Sequence, residues 1–415
     1  MEVTRKLPNS VSRAEMKVIL AGVILGLLAV GSIFSQSNGP DSQTPSASPV
    51  TPLKTDTHSS ARDNYAGDSA CASCHRERVD SFHQTAHYLT SRLPERNSIL
   101  GSFMPGANAF TTSNPDLSFR MDAKGTEFFQ TAVQGIAPYT TERTERFGLV
   151  VGSGGKGQTY LSWKGDQLFQ LPVSYWTELG WVNSPGYRDG VANFDRPIMP
   201  RCLECHATYF ETTPPPFNRY RKEGFVVGIS CEKCHGPGRG HVKIEGSKSG
   251  SSGSGILNPA KFSRDRQMDV CAWCHAGAGE GLAPAFSYLP GESLGKYLAL
   301  PPADPNSPID VHGSQVELLE KSRCFQLSEM TCSTCHDVHT GQHDLATFSR
   351  RCLSCHKPGT AAFPKLNHKI DADCIGCHMP KRETNLIVFD WNGRKVRPQV
   401  RTHWIKAYPV MNHSD

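Results

Sequence analysis

Residues 331–343 read TCSTCHDVHTGQH. Cys332 and Cys335 stand two residues apart and His336 follows at once, the C-x-x-C-H pattern in which two thiols can bond one porphyrin while the adjacent imidazole ligates its iron. The pattern recurs as CASCH (71–75), CLECH (202–206), CEKCH (231–235), CAWCH (271–275), CLSCH (352–356) and CIGCH (374–378). The pairs are Cys71 with Cys74, Cys202 with Cys205, Cys231 with Cys234, Cys271 with Cys274, Cys332 with Cys335, Cys352 with Cys355 and Cys374 with Cys377, and they use fourteen of the fifteen cysteines. Zinc ribbons and disulfide frameworks also pair cysteines, but neither needs a histidine directly after each pair. The motifs therefore predict seven covalently bound c-type haems, with His75, His206, His235, His275, His336, His356 and His378 as proximal ligands. Six motifs fall within residues 202–378, too little chain to build an ordinary apolar core around each cofactor. The haems must then be much of the core. The fold expected is mostly α, with much irregular coil around a stacked multihaem core and a small antiparallel β insertion between the first two motifs.

The insertion is read from a stretch of more than 120 residues without cysteine. LSFRMDAKGTEFFQTAV (117–133) alternates apolar and polar residues around Asp122 to Gly125, a hairpin pattern. GLVVGSGGKGQTYLSWKGDQLFQLPVSYW (148–176) has the same character, with turns at Gly154–Gly157 and Lys164–Asp166. In the motif-rich part VHGSQVELLEKSRCFQ (311–326) is the best helix candidate, and GSKSGSSGSG (246–255) reads as a flexible loop.

The N-terminus carries Arg5, Lys6, Arg13 and Lys17 before an uncharged apolar run, 18–34. This is an export signal, either a cleaved signal peptide or a retained membrane anchor. Residues 35–66 form a Ser/Thr/Pro-rich linker that cannot bury enough surface to order itself. The expected organisation is then leader 1–34, linker 35–66, first haem segment 67–95, β-rich insertion 96–200 and hexahaem domain 201–415. Exported haem attachment places the protein in the periplasm or on the outer side of the cytoplasmic membrane. The formal charge is +5, but loss of the leader and addition of fourteen propionates leave the holoprotein acidic, about −4 oxidised and about −11 reduced. No affinity for nucleic acid follows from the basic residues.

Seven of the seventeen histidines are proximal ligands. With His58 set aside in the linker, nine remain for seven open axial positions: His83, His87, His241, His312, His339, His343, His368, His403 and His413. Haems in electron-transfer proteins are commonly closed on both faces, and the second ligand can come from beside a different haem. His83 and His87, four residues apart, are too close to serve two irons, so one of them is expected to ligate. Met330 and Met379 are expected to pack rather than ligate, and the unpaired Cys324 to act as a small buried hydrophobe.

GISCEKCHGPGRGHV (228–242), MTCSTCHDVH (330–339) and NHKIDADCIGCHMP (367–380) resemble motifs of the multihaem cytochrome c superfamily. That group includes the tetrahaem electron-relay cytochrome of ammonia oxidisers, pentahaem nitrite reductase and octahaem hydroxylamine oxidoreductase. The resemblance implies distal ligation by His241 and His339, by His87 and His368, and more weakly by His312 and His403. It departs at two catalytic features: no motif is C-x-x-C-K, and the cross-linking tyrosine of hydroxylamine oxidoreductase has no placed counterpart.

Two functions follow. The first is an electron carrier between exported or membrane redox proteins, which need not be an enzyme. The second is a reductase or oxidase of a small nitrogen or sulfur compound at one five-coordinate haem, for which Tyr187, Arg188, Arg196 and Arg201 in 181–202 offer polar groups. The plainer reading of those arginines is propionate pairing. A docking role for the β insertion is compatible with the first function.

Overall fold

The computed structural model describes residues 61–215, 217–247, 253–277, 279–300, 308–357 and 373–408. The leader, most of the linker, His58, His368 and His413 lie outside the described residues, as does half of the loop 246–255. Among the described residues no helix is long and apolar enough to cross a membrane.

Alternation of apolar and polar residues builds the first sheet. In Leu117–Lys124 the side chains of Leu117, Phe119 and Met121 are buried and those between them face outward. This strand turns into Glu127–Ile136, with Lys124 opposite Glu127, through a connection where Gly125 takes the left-handed φ of 61°. Ala109–Thr111 and Tyr139–Arg146 complete four antiparallel strands, the last with its charged residues on an open edge. A second, seven-stranded sheet is centred on Gly157–Lys164, which pairs with Leu149–Val151, Gln167–Gln170 and Val173–Trp176. Ser91–Arg92, Gly180–Asn183 and Arg196–Pro197 pair at its margins.

The two sheets share an aromatic core of Phe110, Phe119, Phe128, Phe147, Tyr160, Trp181 and Phe194. Phe147 and Tyr160 stack at 4.3 Å within it. On the far side, Leu149, Leu161 and Leu168 pack against Leu203, Ala207, Phe210 and Tyr220, which anchors the second motif to the sheet. The C-terminal hairpin Phe389–Trp391/Arg394–Val396 also docks here: Phe389 packs on Trp176 at 4.8 Å, and Asn183 Nδ2 donates to the Asp390 carbonyl at 2.7 Å.

A mostly α fold is therefore incorrect. Helix and strand occupy 28% and 25% of residues. The strands are long because an alternating pattern extends ladder pairing residue by residue, whereas the helices of the motif region are cut short by their own sequence. Cys231–His235, Cys332–Cys335 and Cys374–His378 span five, four and five residues. Among the described residues only Asp68–Phe82 and Arg264–His275 reach twelve or more. The helix expected over 311–326 is two, Gln315–Glu320 and Arg323–Gln326. Between them Ser322 is fully buried, and its hydroxyl accepts from Ile405 N at 2.7 Å and donates to the His403 carbonyl at 3.2 Å. Such a side chain competes with helix continuation. Here it ties the break to the chain's end.

Candidate functional site

The third, fifth and seventh motifs are single helical turns, and their ends are encoded locally. Asp373 caps the seventh by accepting from Gly376 N, and Thr331 and Thr334 form a reciprocal capping box on the fifth. Gly236, at φ 72°, turns the chain away after the third. Ser263 caps Arg264–His275, so that the fourth motif closes a longer helix.

The turns bring histidine rings into facing pairs. His87 faces His275 with ring centroids 6.1 Å apart, His235 faces His339 at 6.1 Å, and His336 faces His403 at 6.3 Å. No hydrogen bond joins the two rings of any pair. An imidazole nitrogen sits about 2 Å from a first-row metal and its ring centroid about 1 Å beyond, so two rings on opposite faces of one iron stand about 6 Å apart. The spacing is that of two axial ligands. A fourth association places His312 near enough to His206 that its charge, after burial, helps hold His206 down to about 4.

Second-sphere contacts turn the rings the same way. Nδ1 of His206 meets the Thr90 hydroxyl at 3.0 Å, of His235 the Leu257 carbonyl at 2.8 Å, of His275 the Gln315 amide oxygen at 3.3 Å and of His378 the Lys406 carbonyl at 2.9 Å. A carbonyl at Nδ1 fixes the proton there and frees Nε2 as the ligating nitrogen. His241 is oriented likewise, its Nδ1 2.9 Å from the Ser254 carbonyl. His87 is exposed at its outer edge and His403 is half-buried, yet the surrounding protein and neighbouring imidazoles push both down to about 4. They stay neutral, the form that ligates.

Other histidines are committed elsewhere. His83 Nε2 lies 3.0 Å from Asp68 Oδ2 and its ring stacks on Tyr88 at 3.8 Å, which leaves His87 as the member of that couple aimed at another imidazole. His343 faces no other histidine among the described residues, and His368 lies outside them.

The motifs also touch one another. The thiols of Cys71 and Cys231 lie close enough to shift one another, the first lowered and the second raised; Cys205 and Cys274 interact in the same way, as do Cys332 and Cys271. Weaker electrostatic contacts link Cys335 with Cys355, and Cys352 with Cys374. The first motif thus adjoins the third, the second adjoins the fourth, and the fourth through seventh follow in order. Not every attachment cysteine is enclosed. Cys74, Cys202, Cys355 and Cys377 are exposed, so in the first, second, sixth and seventh motifs one thiol of the pair faces outward while its partner is half-buried. Cys74 accepts only a long hydrogen bond, 3.8 Å, from the hydroxyl of its neighbour Ser73, and the partner Cys71 carries the contact with the third motif. A buried thiol pair at every motif, as a haem-filled core would suggest, is therefore not what the chain forms: a haem bonded at Cys74 would have one edge at the surface. Cys324 lies beside the last group, and burial pushes its thiol up. Met330 packs in the cluster around Arg264–His275.

Two carboxylates inside the motifs carry contacts that the cysteine and histidine pattern does not announce. Glu232, 3% exposed, accepts from the backbone N–H groups of Ala66, Gly67 and Gly238 at 2.7, 2.9 and 2.7 Å. It thereby fastens the start of helix Asp68–Phe82 to the third motif, with its charge at that helix's positive end. Glu204, 4% exposed, accepts from Phe286 N at 2.6 Å and pairs with Arg201 at 3.6 Å. Arg201 lies over the Trp273 ring at 4.4 Å and donates to the Trp273 carbonyl, so it bridges the second and fourth motifs. An acidic residue between the two cysteines was the available signal.

Tyr187, Arg188 and Arg196 line a surface cavity of about 200 Å³ with Gly186, Val191 and Asn193. Tyr187 donates to the Gln170 carbonyl at 2.6 Å, and Arg196 donates to the Pro185 carbonyl at 2.6 Å while lying over the Tyr187 ring. No histidine joins this cavity, and Arg201 is not part of it.

All fifteen cysteines are free, and among the described residues no three His, Cys, Asp or Glu side chains gather to hold a metal ion directly. Paired rings at axial spacing beside the thiol pairs fit haem. The family profile "Cytochrome c554 and c-prime" matches residues 188–236, which hold the second and third motifs. The chain is similar to c-type cytochromes. The outer cell wall cytochrome OcwA has a like fold, with a TM-score of 0.51 and 18% identity over 83% of this chain and 80% of that one. No curated protein matches the chain.

Proposed function

We propose that this chain is an extracytoplasmic heptahaem c-type cytochrome that relays electrons between redox proteins through bis-histidine haems. The observation that carries the proposal is the set of facing imidazoles at 6.1–6.3 Å. In this reading His275 and His87 serve the fourth haem, His235 and His339 the third, His336 and His403 the fifth, and His206 and His312 the second. His241 is assigned to the first haem because its helix, Arg239–Ser247, packs beside Ala61–Asn64 and Arg239 donates to the Tyr65 carbonyl at 3.2 Å. Each distal histidine comes from a segment other than its own motif, so one short stretch holds two cofactors.

Bound haem supplies a one-electron couple whose potential is set by axial ligands, burial and hydrogen bonds. The chain's residues hold the rings in place, keep the ligating imidazoles neutral and press the motifs together. The thiol contacts give the line one–three and a second line from two through four to seven, with the third and fourth motifs meeting where Cys234 acts on Cys271. The fourth motif is then a junction. The outer cell wall location named for OcwA favours placement outside the cytoplasm, as does the leader.

A low-temperature EPR spectrum of the oxidised protein, with covalent haem quantified on the same sample, tests the proposal. Seven haems with low-spin signals throughout are expected. A high-spin component that shifts on adding nitrite, hydroxylamine or cyanide would replace the relay with an enzyme.

A further inference from the structure

We infer that the seventh motif is the docking face for an acidic redox protein. The inference rests on the relay reading and adds where one partner binds. Cys377 and His378 are both exposed. The C-terminal segment wraps this motif closely: Lys406 N donates to the His378 carbonyl at 3.4 Å, and the Arg401 guanidinium donates to the carbonyls of Ile375 and Met379 at 3.1 and 2.7 Å. Strand Lys381–Glu383 lies alongside, with Lys381 opposite Arg401.

On this frame stand cations without acidic partners. Lys406 Nζ lies 3.4 Å from the Trp404 ring centroid and 5.0 Å from that of Tyr408, Lys321 lies 5.8 Å from Trp404, and Arg382 lies 5.3 Å from Tyr408. Lys321, Lys381, Arg382 and Lys406 are all exposed, and none forms an ion pair among the described residues. Arginines and lysines elsewhere on the surface, such as Arg120, Arg143 and Lys164, are paired. The segments that wrap the motif, 381–383 and 399–408, hold four basic side chains and one acidic, a net +3 of the whole chain's formal +5. Fourteen propionates outweigh the remaining +2, so this corner is cationic on an otherwise acidic holoprotein. Half-buried aromatic rings ringed by unpaired cations beside an exposed haem attachment site make a recognition surface: the charge steers an acidic partner and the rings seat it. A redox protein is favoured over a lipid surface because the patch is centred on a cofactor-bearing motif.

The test is stopped-flow reduction of the oxidised holoprotein by chemically reduced flavodoxin, a small acidic one-electron donor, across a salt series. One electron leaves the probe's flavin and reduces one ferric iron. The second-order rate is expected to fall about tenfold from low to moderate salt, and about tenfold at low salt in the combined Lys381→Glu, Arg382→Glu, Lys406→Glu variant. A control reversing the exposed Lys124, Lys222 and Lys261 to Glu should keep the rate. Equal loss in both variants would mean a net-charge effect and overturn the assigned face, as would no loss in either. A shifted midpoint potential with unchanged rate would assign the cations to propionates. Binding to anionic phosphatidylserine vesicles but not to flavodoxin would assign the face to a membrane. Failure of flavodoxin to reduce the protein at any salt, with dithionite succeeding, would count instead against the relay reading.

Discussion

The β-rich segment and the motif-rich segment solve the problem of a core in opposite ways. Between Ala109 and Asn183 the chain supplies its own core: Phe119, Phe147, Tyr160, Leu168 and Val173 are no more than 1% exposed, and backbone pairing is continuous along long ladders. Between Cys231 and His378 most helices are short, Arg264–His275 being the longest, and buried side chains gather mainly around it. What the second region shares is facing imidazoles and touching thiols. The first region folds on apolar area; the second is arranged by where cofactors are tied and depends on them.

The largest expected effect breaks that comparison directly. Full-length chain expressed without haem attachment should lose the motif region to limited proteolysis and keep a resistant fragment within about residues 96–200, because only the latter buries enough apolar surface unaided. Equal resistance of both regions would mean that the motif region carries a sufficient core of its own. The converse lesion is Phe119→Ala, which empties a site 1% exposed in the aromatic core. A loss of about 3–5 kcal/mol is expected from the β region, with the covalent haem count unchanged.

Spectroscopy sharpens the comparison within the motif region. Replacing His403 with Ala should turn one low-spin haem high-spin, and replacing His87 should do the same to another. Replacing His83 should leave the spectrum intact, because its ring is held by Asp68 and Tyr88. A change on His83→Ala of the size seen for His87→Ala would remove the assignment.

What could be read from residues alone follows the same division. The hairpin at 117–133 was legible because alternation and a glycine turn act locally, and Lys124 pairs with Glu127 around Gly125. The haem attachment points were legible for a similar reason, since two thiols and an imidazole must be close in sequence to grip one porphyrin. How deeply each point sits was not: Cys74 and Cys234 occupy the same place in their motifs, yet the first is exposed and the second half-buried, because packing between motifs decides it. The balance of helix and strand was misjudged: a mostly α fold with only a small β insertion was expected, but the alternating pattern of residues 109–183 builds two extended sheets, while the motif helices stay short, as at Gly236, which turns the chain away after the third. Which histidine meets which motif was not legible either. His87 and His275, or His336 and His403, are brought together by packing across long stretches of chain, and nothing in the spacing encodes those meetings. Glu232 was missed because a carboxylate between two cysteines looks like a solvated residue until the backbone of Ala66 and Gly67 arrives.

Glu232→Gln should cost about 1–3 kcal/mol, since an amide keeps the shape but loses the charge that three N–H groups surround. The loss should show as faster hydrogen exchange in the first turns of Asp68–Phe82, with exchange in the β ladders unchanged.

The smallest expected effect concerns acid. His87 and His403 are pushed from 6.5 down to about 4 by burial first and by neighbouring imidazoles second. A histidine whose folded value lies below its unfolded value binds fewer protons folded than unfolded, so the stability at stake is present above pH 6.5 and is lost as pH falls toward 4. In the holoprotein the iron competes with the proton for the same nitrogen. Protonation of a released imidazole gives no drive to dissociation until the pH approaches the depressed value, so low-spin character at these two haems should persist to about pH 4. Far-ultraviolet circular dichroism of the strands, followed over the same titration, should change little there. The ion pairs holding Asp195 through Lys164 and Arg143 keep that carboxyl below the usual range, so its contribution to the β region survives to lower pH. High-spin haem appearing well above about pH 5 at the positions of His87 and His403 would mean that the surrounding protein does not hold these imidazoles neutral in solution.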